Sequence, residues 1–165
     1  MPDKVLDDLF HDTLKDIYYA ERQILKALPK MARGAQSDHL RQAFEKHRDQ
    51  TETHVERLRQ VFDIIGKSPR GKTCPAIDGI IEEGEEVMAA FKGSPALDAG
   101  LIAAAQAVEH YEIARYGTLR QWARQLGLDD AAALLDETLT EESDTDELLT
   151  EIAESEANVE AAAPA

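Results

Sequence analysis

Apolar residues recur every three or four positions along most of the chain, which is the spacing that places side chains on one face of an α-helix. This pattern predicts four long helices, over about residues 3–33, 38–65, 96–126 and 129–153, and a shorter helix over about 76–91. Short links join the helices of each long pair, whereas a long connector that carries the short helix separates the two pairs. The sequence therefore predicts an all-α four-helix bundle with one long crossover.

One domain accounts for nearly all of the chain. A length of 165 residues suits a single domain with a substantial core, and we assign residues 1–153 to the helical bundle. Residues 154–165 are rich in alanine and glutamate and offer no bulky apolar face beyond Val159. They predict a frayed or disordered tail.

Ionisable side chains interrupt the apolar face of every long helix. Glu109 and Glu112 share one stripe of the third long helix with Tyr116, because residues three and four apart are neighbours on a helix. The interruptions on the other long helices are Glu21 on the first, His47 and His54 on the second, and Glu142 and Asp146 on the fourth. Carboxylates on a buried face are costly unless they share a proton, meet a cation or bind a metal.

The spacing of these residues repeats between the two helix pairs. His54 follows Glu21 by 33 positions, and Glu142 follows Glu109 by 33 positions, so each pair lies at a similar height in an antiparallel hairpin. Carboxylates and imidazoles presented by facing helices are what a non-haem dinuclear iron or manganese site requires, with zinc as a further alternative. The candidate metal ligands are Glu21, His54, Glu109, Glu112, Glu142 and Asp146. His47 is more simply explained as a core histidine.

The charge of the chain narrows its possible partners. It contains 33 acidic and 18 basic residues, for a net charge of −15, which argues against nucleic acid or an anionic membrane surface as a partner. No apolar run is long enough to cross a membrane, and no export segment is recognised. These features predict a cytoplasmic protein. Cys74 is the only cysteine, so neither an intramolecular disulfide nor a cysteine-based zinc site can form.

Several motifs along the chain resemble one bacterial family. They lie at Tyr19–Gln23, His54–Leu58, Cys74–Gly84, Val108–Ala114 and Glu141–Glu142. In this order they are similar to the YciF/YciE group of ferritin-like stress proteins, and the resemblance extends to about residue 153. It implies a ferritin-like bundle, a homodimer and a di-iron centre in a protein associated with stress.

A wider resemblance, to rubrerythrin-like di-iron proteins, rests on Glu109-x-x-Glu112 and on Glu142. Three positions depart from that pattern. His54 and Arg57 stand where Glu-x-x-His is expected on the second helix, and Asp146 stands where an imidazole is expected about one turn after Glu142. Arginine cannot bind a metal, so the departures argue against full ferroxidase or peroxidase chemistry.

Two functional hypotheses follow. In the first, the chain is a metal-binding stress protein of the YciF/YciE type without assigned catalysis, in which iron is structural or vestigial and the bundle serves as a structural or interaction dimer. In the second, it is a di-iron oxidoreductase that consumes oxygen or peroxide or oxidises Fe(II), like a peroxidase or a ferroxidase. The second hypothesis gives Glu112 and Glu142 bridging roles and makes Glu21, His54 and Glu109 terminal ligands.

Overall fold

The computed structural model describes residues 2–164, which fold into helices without a strand among them. The helices are α1 (Leu6–Gly34), α2 (Asp38–Ile64), α3 (Pro75–Ala90), α4 (Leu97–Gln125), α5 (Asp129–Ile152) and α6 (Asn158–Ala162), with a π-helical turn at Ala153–Ala157 before α6. The first five begin and end within three residues of their predicted bounds. The all-α prediction is confirmed.

Local signals explain where the helices begin and end. Ser37 caps α2, because its Oγ accepts a hydrogen bond from the backbone N–H of Leu40 at 3.3 Å. Cys74 precedes α3, and its Sγ accepts from a backbone N–H in the first turn at 3.4 Å. Gly66 and Gly127 follow α2 and α4 with φ of 68° and 72°, a conformation that glycine adopts without strain.

The bundle consists of two helical hairpins. α1 packs against α2 and α4 against α5, while contacts between α2 and α5 and between α1 and α4 join the hairpins. The connector between α2 and α4 carries α3, which lies along α4 and also touches α1. Gly100 allows this close approach, because a Cβ there would lie 2.5 Å from Cγ1 of Val87. The architecture is the predicted ferritin-like bundle with one long crossover.

The apolar core is one cluster of packed residues whose members lie toward both ends of the bundle, in two layers on either side of the buried polar residues near the middle of the helices. One layer includes Leu14, Ile17, Leu58, Phe62 and Leu119, and the other includes Leu28, Leu40, Phe44, Leu101 and Ile152. Because paired helices run antiparallel, each layer combines residues near the start of one helix with residues near the end of its partner, α1 with α2 and α4 with α5. The core therefore isolates whatever polar groups lie between the layers from solvent.

The chain remains helical beyond the predicted end of the bundle. Where the sequence analysis expected a frayed tail over residues 154–165, helical conformation continues to Ala162. Ala153 and Ala157 are buried, and Glu156 Oε1 lies 2.8 Å from Nδ1 of His39 while Oε2 accepts from Ser37 Oγ at 3.2 Å. Small buried side chains and these contacts to the start of α2 hold the segment in place.

None of the helices formed by residues 2–164 is both long and apolar enough to cross a membrane.

Candidate metal centre

Polar side chains from four helices meet between the two apolar layers. Within residues 2–164 they form two groups in which the potential ligand atoms all lie within 4.8 Å of one another. The first group consists of His47, Glu109, Glu112 and Glu142, and the second consists of Glu21, His54 and Glu142. Because Glu142 belongs to both groups, the two potential metal positions are neighbours.

Helical spacing brings these residues together. Glu109 and Glu112 are three positions apart on α4, and His47 and His54 are seven positions, or two turns, apart on α2. Each pair therefore lies on one helix face. All six side chains are buried, none with more than 3% of its surface exposed.

The donor atoms of the cluster lack the hydrogen bonds that buried polar groups normally make. Eleven buried side-chain nitrogen or oxygen atoms of the described residues have no hydrogen-bond partner, and nine of them belong to the two groups. Both oxygens of Glu112 and both of Glu142 are among the nine. Unpaired buried carboxylate oxygens are expensive in a protein interior, so the arrangement fits ligands that are completed by a metal ion.

Two short nitrogen–oxygen distances also fit a metal site. His54 Nδ1 lies 2.7 Å from Glu142 Oε1, and His47 Nε2 lies 2.7 Å from Glu109 Oε1. Both are close charge contacts between an imidazole and a carboxylate, although neither nitrogen has an assigned hydrogen-bond partner. Neighbouring ligands of one ion are about 3 Å apart when metal–ligand distances are about 2.1 Å, and these pairs match that spacing.

Burial controls the protonation of the cluster when no metal is bound. It raises the pKa of Glu109 to about 7 and that of Glu142 to about 8, and it raises that of Glu112 well above its usual range. Burial also opposes ionisation of Glu21, but interactions with His54, Glu112 and Tyr116 together outweigh this effect and lower the pKa of Glu21. The carboxylates outnumber the cationic side chains, so divalent cations would favour full ionisation.

His54 is oriented by a contact on its outer side. Its Nε2 lies 2.9 Å from Glu141 Oε2, and Glu141 Oε1 in turn accepts a 2.6 Å hydrogen bond from Nη2 of Arg57. When Nε2 carries the proton and donates it to Glu141, Nδ1 is left to face Glu142 and Glu21. Burial disfavours the charged form of His54, yet Glu142 and Glu21 raise its pKa to about 11.

Arg57 itself does not enter the cluster. Its side chain is only 15% exposed, and its guanidinium is held by Glu141, by Thr138 Oγ1 at 3.2 Å and by Glu137 Oε2 at 3.3 Å. The residue that replaces the expected histidine therefore stabilises the carboxylate behind His54. Sequence reasoning gave Glu141 no role, although the residue stands next to Glu142.

The sequence profile of the family described as "Domain of unknown function (DUF892)" matches residues 5–162. The chain belongs to the DUF892 family. It is 46% identical over 160 residues to the protein YciF of Escherichia coli K12, a match that covers 96% of each chain. The resemblance to the YciF/YciE group is thereby confirmed.

Solved structures of other proteins share the fold. The crystal structure of the E. coli stress protein YciF is 44% identical with a TM-score of 0.90, covering 94% of this chain and 99% of the other. YcfI from Rhodopseudomonas palustris, described as a candidate structural protein, is 48% identical with a TM-score of 0.87, covering 89% and 94%. A Xanthomonas campestris protein at 20% identity, with a TM-score of 0.71 and 92% coverage of both chains, shares the fold alone.

The DUF892 chain brings together five of the six ligands expected from sequence, which are Glu21, His54, Glu109, Glu112 and Glu142. Asp146 lies outside both groups: its Oδ2 is 3.1 Å from Nε2 of the exposed His110, and the Asp146 side chain is 20% exposed. His47 joins the first group instead. Its seven-residue spacing from His54, which keeps both imidazoles on one face of α2, was the signal that could have identified it.

Proposed function

We propose that this DUF892 chain is a metal-binding protein of the YciF type, whose buried cluster holds two iron ions and for which no catalysis is assigned. The observation that carries the proposal is the set of nine buried ligand atoms without hydrogen-bond partners, divided between two groups that share Glu142. Leaving so many buried polar atoms unpaired does not stabilise a fold by itself.

The types of ligand favour iron or manganese over other metals. Four carboxylates supply hard oxygen ligands, and His47 and His54 supply one imidazole to each group. Such mixed sets suit Fe(II) and Mn(II), whereas structural zinc prefers four-coordinate sites rich in cysteine or histidine. Glu142 is the natural bridging residue, and Glu112 lies close enough to Glu21 of the second group to affect its pKa.

The surroundings of the cluster serve to position the ligands. Tyr116 O–H donates to Glu21 Oε1 at 2.8 Å, leaving Oε2 of Glu21 without a hydrogen bond and free to bind a metal. Glu141 positions His54 in a similar way, because its contact with His54 Nε2 leaves His54 Nδ1 facing the cluster. These groups fix the ligands before the metal arrives, as expected for a binding site on rigid helices.

Homodimer formation and a cytoplasmic location belong to the same proposal. The homodimer rests on the likeness to the YciF/YciE group, and the location rests on the strongly acidic composition. Light scattering during size exclusion would give about twice 18.3 kDa for a dimer, and a value near 18.3 kDa would contradict it.

Metal content after anaerobic loading with Fe(II) tests the central proposal. We expect two iron ions per chain. Glu142→Gln should lose both, because both groups use this side chain, and Glu21→Ala should lose one. Glu151→Gln changes an exposed glutamate of α5 and is the matched control. The proposal fails if Glu142→Gln binds as much iron as the Glu151→Gln control.

A di-iron oxidoreductase of the peroxidase or ferroxidase kind is the alternative function. It is favoured by the small number of protein ligands in the second group, only three residues, which leaves room for a small oxidant on a six-coordinate ion. Bound iron would supply electrons to that oxidant. Addition of air or peroxide to the iron-loaded protein should then produce a new near-ultraviolet band and repeated oxidant consumption, whereas the non-catalytic function predicts no turnover.

A further inference from the structure

An apolar cavity lies against the first ligand group. Its volume is about 40 Å³, and its wall contains residues from all five of the helices α1 to α5. His47 and Glu109 form its buried side. On the solvent side are Lys30 and Glu85, whose exposed side chains approach each other to 3.5 Å between α1 and α3.

The wall between these two sides offers almost no hydrogen bonds. Apart from the four charged or imidazole residues just named, Thr145 is the one polar side chain in the lining of the described chain. Its hydroxyl already donates to the backbone carbonyl of Glu141 at 3.0 Å. Cavities with apolar walls bind apolar guests, so water can find hydrogen-bond partners only on the side formed by His47 and Glu109, whose side-chain atoms lack partners.

The size of the cavity limits what can enter. One water molecule needs roughly 10–15 Å³, so about 40 Å³ gives room for a small molecule of a few heavy atoms. Hydrogen peroxide also fits by size, but only His47 and Glu109 could replace the hydrogen bonds that it makes to water, and the apolar remainder of the wall could not.

Gly84 on α3 keeps the space open. The residue is buried, and a Cβ placed there would meet the Cβ of Ala104 on α4 at 3.4 Å, which is ordinary van der Waals contact. An alanine at this position therefore fits without a clash and removes cavity volume. Gly79, on the same helix, has nothing within 4 Å of an added Cβ and does not line the cavity.

We propose that this cavity is a binding site for a small uncharged apolar gas of the dioxygen class, held beside His47 and Glu109. The site would hold dioxygen next to the first ligand group. Any use of that dioxygen rests on the proposed metal centre and its alternative oxidoreductase function, whereas the binding itself does not require metal.

Methyl relaxation under dioxygen pressure tests the binding directly, because dioxygen is paramagnetic and argon provides the reference. The experiment uses the metal-free protein and compares equally buried leucines. Leu28 and Leu149 line the cavity, while Leu14 and Leu119 do not. We expect a several-fold larger effect of dioxygen on the first two, reduced in Gly84→Ala and unchanged in Gly79→Ala. Ala27→Leu, which fills the cavity from α1, should act like Gly84→Ala and is used if that variant does not fold.

The outcomes separate the two proposals when iron content is measured on the same preparations. Equal relaxation of all four leucines, or a dioxygen effect that survives both filling variants, would overturn the gas site. A localised dioxygen effect in a protein that loads no iron would support the gas site and overturn the proposed metal function.

Discussion

Glu141 Oε2 lies 2.9 Å from His54 Nε2, so a carboxylate outside the ligand cluster determines which nitrogen of the imidazole faces the bundle centre. Arg57 keeps this carboxylate ionised. Burial raises the pKa of Glu141, but the hydrogen bonds from Arg57 and His54 outweigh burial and lower it. Arg57, which replaces an expected histidine ligand in the sequence, thus supports the ligand His54 through Glu141.

Removing Glu141 should weaken the second metal position without emptying the first. We expect Glu141→Ala to lower metal affinity at the Glu21–His54–Glu142 group by about 10–100-fold, because the His54 ring is no longer fixed. Calorimetric titration with Mn(II) measures both sites. Glu137→Ala is the control, since Glu137 also contacts Arg57 but does not reach His54. Equal affinities in the two variants would contradict this role.

The metal-free protein should become less stable as pH rises from 6.5 to 8. Glu109 and Glu142 have pKa values of about 7 and 8 when folded, above their unfolded value, so the folded state binds more protons and loses stability as they ionise. His54, with a raised pKa of about 11, stabilises the fold fully below its unfolded pKa and loses this contribution as pH rises. Burial lowers the pKa of His47, which acts in the opposite direction only below about pH 6.5.

Thermal unfolding at pH 6.5, 7.25 and 8 checks this expectation. The melting temperature of metal-free protein should fall across the series, and that of Mn(II)-loaded protein should not, because bound metal replaces the protons. A melting temperature of the metal-free protein that rises with pH would show that these groups are not buried together as described.

Sequence periodicity was sufficient to predict the helices and most of the cluster. Glu21, His54, Glu109 and Glu142 could be found because the 33-residue repeat places them at equal heights on apolar stripes. The same spacing argument could not show that the Asp146 side chain lies outside the cluster. Four residues after Glu142, it is turned about 40° around the helix, enough to reach the exposed His110 instead of the centre.

Tertiary contacts explain what the sequence did not reveal. A single histidine on an apolar stripe, such as His47, has the same pattern whether it packs in a core or faces a metal. The continuation of helix past Ile152 depends on the burial of Ala153 and Ala157 and on Glu156 meeting His39. Composition contains none of these contacts between distant segments.

Glu142→Gln should stabilise the metal-free protein while it abolishes metal binding. The substitution keeps the shape of the side chain and removes a carboxylate whose pKa burial raises to about 8, a gain that exceeds the loss of its 2.7 Å charge contact with His54 Nδ1. At pH 8 we expect a gain of about 1–3 kcal/mol in the free energy of unfolding, or several degrees in melting temperature. Glu151→Gln should change neither property. Destabilisation by Glu142→Gln would indicate that Glu142 contributes to folding without metal.

His47 and Asp146 distinguish the ligand set seen in the fold from the one expected from sequence alone. His47→Ala removes an imidazole from a group of four ligands, so we expect the first metal position to be lost or weakened by at least tenfold.

Asp146→Asn preserves the side-chain shape at a position outside both groups, and metal content should remain at the wild-type value. Its principal effect should be electrostatic, since the Asp146 charge helps to raise the pKa of Glu109. Metal analysis with competition by a chelator measures both variants. If Asp146→Asn loses a metal and His47→Ala does not, Asp146 is the ligand, and the α4–α5 pair must rearrange on metal binding.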